Sequence, residues 1–546
     1  MNKNLIQGRC DEASWPNTAK PYGLVAEVNE AVVRGRTASL PGEICAVRAV
    51  QKSAEVIVVG KRAGVQTHVK IAGGLEPMKD RTNAGASDPT LGRLPDDAER
   101  LGIDSTQSGG RHGEAPAETE TWLEQVLDPT NMQSAWQRVR RNKGAPGMDG
   151  MTINEFPAFA REHWERIASQ LREGTYRPAP VRRVYIPKPD GSQRPLGVPT
   201  VLDRVIQQAI AQVLTPLYDG EFSDQSYGFR EGRSAHQAVR RVQDGWKLQC
   251  RHAIDCDLKA FFDSVNHDRL LNALRQKIGS GKLLRLIGRY LRAGVELPDG
   301  SREETPQGVP QGGPLSPLLA NIILDPLDKE IERRGHVHAR YADDFIILVN
   351  GAMKAQRVME SVTRFVEGKL KLTVNRTKSK SGPLAQSSFL GFQISSRGSI
   401  KWTAKAYERF KQKVKEITRR NRGHAVQTVI DELRRYAVGW MNYFGISKTY
   451  REVLELDDWI RRRVRLYHWK QWKRPRARRR NLLKLGADPK EVHMATRSRK
   501  GYWRMSANSI VQRALNNRWL KEQGVPELRS IWIKLHHGAE TKVKAQ

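Results

Sequence analysis

The sequence predicts an α+β chain in which a mixed region of strands and helices is followed by an all-helical, strongly basic one. Three observations carry this reading. Val337, Ala339 and Tyr341 alternate with more polar neighbours, then Phe345, Ile347 and Val349 extend an apolar run, so two strands flank the pair Asp343-Asp344. After Trp402 the apolar residues recur at helical spacing, as in Tyr407, Phe410, Val414 and Ile417. Residues 1–118, by contrast, hold no Phe and only Trp15 and Tyr22 as aromatics.

In chain order, the first 118 residues are broken by Gly, Pro, Ser and Thr and lack the large apolar anchors that offset the entropy of ordering, so they are expected to be poorly ordered. A start further downstream, at Met78, is an open alternative. The texture changes at Trp122. An Arg-rich helical stretch leads into the turn Asn142-Lys-Gly-Ala-Pro-Gly-Met-Asp-Gly150, and residues 181–199 read as a basic hairpin turning at Asp190-Gly191. It carries Arg182, Arg183, Lys188 and Arg194. A helix containing Val205, Ile206, Ile210, Val213 and Leu214 follows, and Ser234 is placed to cap the next one.

In the strand around His252–Asp257, Ile254, Cys256 and Leu258 occupy one face while Ala253, Asp255 and Asp257 occupy the other. The tandem Pro-Gln-Gly units of residues 306–312 make a backbone that can approach a ligand closely, and Ser316 with Pro317 reads as a helix start that Pro326 kinks and Gly335 ends. Beyond residue 400, a long stripe from Val426 to Phe444 is read as core. A further helix is expected to begin at Asp457-Asp458 and to run into Arg461, Arg462, Arg463, Arg465, Lys473, Arg474, Arg476, Arg478, Arg479 and Arg480.

The formal net charge is +34, and it is segregated. Residues 1–118 hold 15 basic and 15 acidic side chains, whereas residues 401–546 hold 37 basic against 13 acidic. Such a distribution points to a polyanionic partner. Eight of the thirteen Trp lie after residue 400, interleaved with the basic residues, which suits structured RNA with unpaired bases to stack. No apolar run is long enough for a membrane span, so no membrane partner is expected. Four cysteines without a Cys-x-x-Cys pair speak against disulfides or structural zinc and fit a cytoplasmic location.

Asp343-Asp344 differs from the other two Asp-Asp pairs. Asp96-Asp97 lies in a polar stretch and Asp457-Asp458 opens a helical pattern, whereas Asp343-Asp344 is clasped between strands. Adjacent carboxylates on a rigid support repel, and a divalent cation relieves that repulsion. Asp257 is placed to join them, although 86 residues separate it from Asp343.

Together, Lys143-Gly-Ala-Pro-Gly-Met-Asp149, Pro195-Leu-Gly-Val-Pro199, Gly228-Phe-Arg230, Asp257 with Phe262, Pro310-Gln-Gly-Gly-Pro-Leu-Ser-Pro317, Tyr341-Ala-Asp-Asp344 and Phe389-Leu-Gly-Phe392 occur in an order that resembles the group II intron-encoded reverse transcriptase/maturase family. The resemblance covers roughly residues 120–535. It implies right-hand polymerase fingers and palm over 119–400, a helical thumb/maturase domain over 401–480, a basic nucleic-acid-binding region over 481–546, and leaves residues 1–118 as a neutral extension without a counterpart. It further implies that Asp257, Asp343 and Asp344 hold two Mg²⁺ ions. Lys188 and Arg194 match positions that contact the triphosphate, Phe262 the position that excludes a ribose 2′-hydroxyl, and Gln311 the loop beside the nascent base pair. The implied partners are group II intron RNA, an RNA template with a DNA primer, target DNA and deoxynucleoside triphosphates, met in the cytoplasm and on the nucleoid. No Cys follows Cys256, so the Cys/His-rich endonuclease of many family members is not expected. A non-polymerising RNA-binding splicing factor and a related reverse transcriptase in host defence are the alternatives.

Overall fold

The computed structural model describes residues 118–187, 191, 193–279 and 281–538, all within one compact unit. The expected N-terminal extension therefore lies outside the described residues except at Glu118, and Lys188 and Asp190 lie outside them too. Ten strands are described: β1 (Val181–Pro187), β2 (Gln193–Val198), β3 (His252–Cys256), β4 (Val295–Glu296), β5 (Arg302–Glu303), β6 (Val337–Tyr341), β7 (Asp344–Val349), β8 (Lys380–Pro383), β9 (Phe392–Ile394) and β10 (Ile400–Trp402). They form a finger sheet in the order β2-β1-β4-β5, a palm sheet in the order β6-β7-β3-β8, and the hairpin β9-β10. The β1–β2 pair is the expected hairpin, with Pro187 opposite Gln193 and Gly191 at a positive φ of 82° in the turn.

The palm sheet is covered on both faces, which is why its central strands read as near-continuous apolar runs. Ile254, Cys256, Phe345, Ile347 and Val349 face a core built with the helices Val201–Asp219, His267–Ile278 and Ser316–Arg333. Ala253, Ala339, Ile346 and Leu348 face a second core, shared with the helices Ala235–Lys247, Ala404–Ile417, Val426–Phe444 and Tyr450–Gln471. The expected stripes are that core: Phe410, Val414, Ile417, Leu433, Trp440 and Phe444 are all buried in it. Packing continues across residue 400. It also continues across residue 480, where Trp469 joins Leu482, Val492, Val511 and Leu515 in a third core, and Leu520, Val525 and Leu528 return to the second.

Helix starts follow the expected chemistry in part. Ser234 forms a capping box with Gln237. Ser316 does not cap its helix; its hydroxyl instead donates to the Pro310 carbonyl at 2.7 Å, tying the preceding loop to the helix start. Asp457-Asp458 does not open a helix either. The helix begins at Tyr450, and Asp457 is buried in its middle, where its carboxylate accepts from the Leu528 and Arg529 backbone N–H groups at 2.8 and 2.9 Å. The carboxylate suits a helix N-terminus, but that of Leu528–His537, 71 residues further on.

Candidate active site

The hairpin β6–β7 pairs Tyr341 with Asp344, so Ala342 and Asp343 form a two-residue turn. Ala342 takes a left-handed backbone, φ 58°, as such turns require, and Asp343 is only 3% exposed. β7 lies antiparallel to β3 with Phe345 opposite Cys256. One step further along the same register, Asp257 comes opposite Asp344, and opposed residues of a β-ladder share a face with Cβ atoms ~5 Å apart. Tertiary pairing thus brings the expected carboxylates to one end of two neighbouring strands.

Asp257 is held from the other side. Its backbone N–H donates to the Ser379 hydroxyl at 3.0 Å, and Asn375 donates Nδ2–H to its carboxylate at 2.9 Å and its backbone N–H to the Asp257 carbonyl at 2.7 Å. Behind it, burial pushes the Asp255 carboxyl up to about 6, with the Asp257 charge adding to the shift and Lys380 opposing it. Among the described residues, no three His, Cys or acidic side chains converge closely enough to enclose an ion. The donor set still fits Mg²⁺, a hard cation that polymerase sites hold through one or two carboxylates, with substrate phosphates and water completing the shell.

The turn rests on a buried polar network that the linear pattern does not reveal. Arg340 is 0% exposed. Its guanidinium donates to both Asp328 oxygens at 2.6–2.9 Å, to Asn321 Oδ1 at 2.9 Å, to the Ser226 hydroxyl at 2.7 Å and to the Ala342 carbonyl at 2.9 Å. Burial raises the Asp328 carboxyl, but the charge and hydrogen bonds of Arg340 together with those of His338 outweigh it and hold the group below its ordinary value. His338, also buried, sits 3.6 Å from Asp328. In a strand of period 2 these side chains read as an outward polar row. The one signal is the presence of Arg340 among strongly apolar strands, since a charge there needs a partner.

Gly228 is the second support. Residues 225–227 run alongside Arg340, exchanging Tyr227 N–H to Arg340 O at 2.8 Å and Arg340 N–H to Gln225 O at 2.9 Å. Asn321 holds the Gly228 carbonyl at 2.9 Å. A Cβ on Gly228 would lie 2.1 Å from the Ala342 nitrogen, so only glycine lets the two backbones meet. Gly228→Ala is therefore expected to displace the turn by a fraction of an ångström to an ångström. Primer extension should then fall by roughly 10²-fold with the protein still folded, as read from kcat and thermal unfolding. Wild-type kcat in that variant would remove Gly228 as a positioning residue.

The Pro-Gln-Gly loop ties the Phe262 backbone at one end and, at Gln311, the strand β2 at the other. Val309 N–H donates to the Phe262 carbonyl at 2.6 Å and Gly308 N–H to the Val265 carbonyl at 2.7 Å, while the Gln311 carbonyl accepts from Gly197 on β2 at 2.7 Å. Gly312, at φ 123°, packs against the Gly197 carbonyl, where a Cβ would come within 2.4 Å. Arg194 is half-buried three residues earlier on the same strand. A cleft of ≈ 360 Å³ opens between this hairpin and loop, lined among others by Arg183, Tyr185, Phe262, Asp263 and Gln307. The Lys143–Asp149 turn docks on the start of the following long helix through Arg204, whose Nη2 donates to the Ala145 carbonyl at 2.7 Å.

The basic residues of the C-terminal half divide into two groups. Lys473, Arg474, Arg476, Arg479 and Arg480 are exposed. Arg465 is not available to a nucleic acid. It is 7% exposed and donates to the Leu515 carbonyl and to Asn517 Oδ1, both at 2.9 Å, clipping the helix Tyr450–Gln471 to the chain that follows. Arg461 pairs with Asp458 at 2.8 Å, and Arg463 donates to the Thr418 hydroxyl at 2.8 Å. Arg462 stacks on Trp503 and Arg478 on Trp469. The cause is helical periodicity: a run of arginines goes round the helix, and part of it must face the core.

Residues 186–394 match the family Reverse transcriptase (RNA-dependent DNA polymerase), and residues 407–486 match Group II intron, maturase-specific domain. Protein YkfC of Escherichia coli K12 is 32% identical over 298 residues, 47% of this chain and 78% of that protein. The group II intron-encoded protein LtrA of Lactococcus lactis is 32% identical over 352 residues, 52% of this chain and 58% of LtrA. An uncharacterized 91 kDa protein in the cob intron of Schizosaccharomyces pombe is 29% identical over 307 residues, 45% of this chain and 37% of that protein. With a reverse transcriptase region whose strands carry the carboxylates and a maturase region packed on its palm sheet, the chain belongs to the group II intron-encoded reverse transcriptase/maturase family.

Proposed function

We propose that the chain copies RNA into DNA at the Asp257, Asp343 and Asp344 carboxylates and binds the intron RNA through its C-terminal half, assisting splicing and mobility. The observation that carries the reading is the β3–β7 register, with Phe345 opposite Cys256, which carried on by one residue sets Asp257 opposite Asp344, beside the Asp343 turn. Two Mg²⁺ ions bound there with the substrate phosphates would lower the pKa of the primer 3′-hydroxyl and stabilise the leaving pyrophosphate. The protein's own part is positional. Arg340 and Gly228 hold the turn, and Asn375 and Ser379 hold Asp257. Arg194 and Lys188 contact the triphosphate, Phe262 bars a 2′-hydroxyl from the sugar position, and the loop carrying Gln311 borders the nascent pair. The assay is Mg²⁺-dependent extension of a DNA primer on an RNA template by the purified chain, where no extension overturns the polymerase reading. Sequencing the RNA that copurifies from cells separates an intron partner from the host-defence alternative.

The exposed cluster Lys473, Arg474, Arg476, Arg479 and Arg480 is the phosphate-binding face in this reading, with intron RNA and target DNA as its partners in the cytoplasm. Replacing Arg474, Arg476, Arg479 and Arg480 by Gln should weaken RNA binding and flatten its salt dependence by ~0.7–0.9 in log–log slope for each phosphate no longer neutralised. An unchanged slope in a titration from low to moderate salt would mean that these arginines are solvated and nothing more.

A further inference from the structure

We infer that Trp503, backed by Arg462 and set beside the cation cluster on Tyr502, is a stacking site for one unpaired nucleobase with an adjacent phosphate. It lies on the short helix Tyr502–Met505, outside both the palm and the exposed arginine cluster of residues 473–480. The inference rests on the nucleic-acid reading above and assigns to it a particular pair of aromatic residues.

Arg462 holds its guanidinium 3.9 Å from the Trp503 ring centroid and donates Nη2–H to the Trp503 carbonyl at 3.3 Å. This contact covers one face of the indole and restrains its rotamer. The residue nevertheless remains 39% exposed, although Trp is a side chain that folding normally covers. A pre-oriented aromatic face with its back covered loses little entropy when a base stacks on it. An isolated exposed aromatic is ordinary on a protein surface; the neighbouring residue is what distinguishes this one.

Tyr502, next in the chain, has three cations over its ring: Lys470 at 5.2 Å, Arg420 at 5.3 Å and Arg478 at 5.7 Å. Among the described residues none of the three is in a salt bridge with a carboxylate. The ring quadrupole attracts each cation only weakly, while the three repel one another. A phosphate is the ligand that would relieve this repulsion, and its nucleoside would lie within reach of Trp503. A protein surface with an apolar patch fits less well, because the exposed residues next to Trp503 in the chain include Arg499, Lys500 and Arg504, and exposed Arg420 lies over the neighbouring Tyr502 ring.

The test uses the full chain and three fluorescein-labelled probes: an unstructured eight-nucleotide RNA, the same sequence as DNA, and an RNA duplex. By anisotropy, Trp503→Ala should bind the unpaired strands about tenfold more weakly and the duplex within about twofold of wild type. Trp503→Phe, which keeps a π face, should stay within about threefold of wild type, whereas Trp503→Leu, which keeps only bulk, should resemble the Ala variant. Both of these bulky variants keep the surface filled, so their comparison stands even where the Ala variant is unstable. Loss on RNA alone identifies a loop of the intron as the source, loss on DNA alone a melted target strand, and loss on both a general single-strand site. Wild-type affinity in Trp503→Ala, an equal loss on the duplex, or full affinity in Trp503→Leu overturns the proposal. Primer extension by the wild-type chain and by Asp343→Asn is measured alongside; a failed stacking site with Asp343-dependent extension intact removes the platform alone and leaves the polymerase reading standing.

Discussion

Replacing Asp343 by Asn is expected to stop primer extension on an RNA template, by roughly 10³-fold or more, while RNA binding stays near wild type. Asparagine keeps the shape of the side chain in the turn and removes only its charge, so the hairpin β6–β7 should fold as before. In the proposed function, what is lost is affinity for the two cations, whose charge stabilisation at a phosphoryl centre would supply several kcal/mol of barrier lowering. Single-turnover extension over a Mg²⁺ titration, alongside a filter-binding curve for a structured RNA, reads both quantities. Undiminished extension by Asp343→Asn would sink the assignment of the turn. A parallel collapse of RNA binding would show that the residue acts through folding.

Replacing Arg340 by Met should be the most destabilising single change in the palm. It leaves Asp328 as a buried carboxylate without its guanidinium, a cost of about 3–5 kcal/mol, and frees the Ala342 carbonyl, Asn321 and the Ser226 hydroxyl at once. The double variant Arg340→Met with Asp328→Leu separates two roles. Removing both charges should restore most of the stability in urea unfolding, because a buried ion pair and an apolar replacement of similar volume are close in free energy. Extension should remain depressed in the double variant, since the guanidinium bonds that tie the Ala342 carbonyl to Asn321 and Ser226 are then lost and Gly228 is left as the remaining support of the turn. Recovery of full activity together with stability would mean that the network only offsets its own burial cost and does not position the carboxylates.

The parts of the site that are legible in the sequence are those governed by local rules. The period of two around Asp343-Asp344 and Asp257 is set by backbone pleating, and the turn residues follow from the short connection between two apolar runs. The stripes from Tyr407 to Phe444 follow from the helical repeat, and they pack as core. Legibility ends where a side chain's partner lies far along the chain. Asp457 reads as the start of its own helix but caps another one 71 residues away. Ser316 reads as a cap and is a loop tether. Arg465, one of ten basic residues of like appearance, is a buried clip, because a run of arginines does not say which of them faces inward.

The sequence by itself determined the chemistry available: three carboxylates at strand ends and the turn between strands, a glycine-rich loop opening a helix, a basic and aromatic C-terminal half, and through the order of these motifs the family. Only the tertiary structure decided which groups meet. Asp257 reaches the turn through the β3–β7 register, and Arg340 finds Asp328, Asn321 and Ser226 at separations of 12, 19 and 114 residues. The physical reason is the range of the interactions. Strand alternation and helix periodicity are imposed by the backbone within a few residues, whereas a buried charge must be satisfied by whatever the closed core brings to it, and that depends on how every element packs.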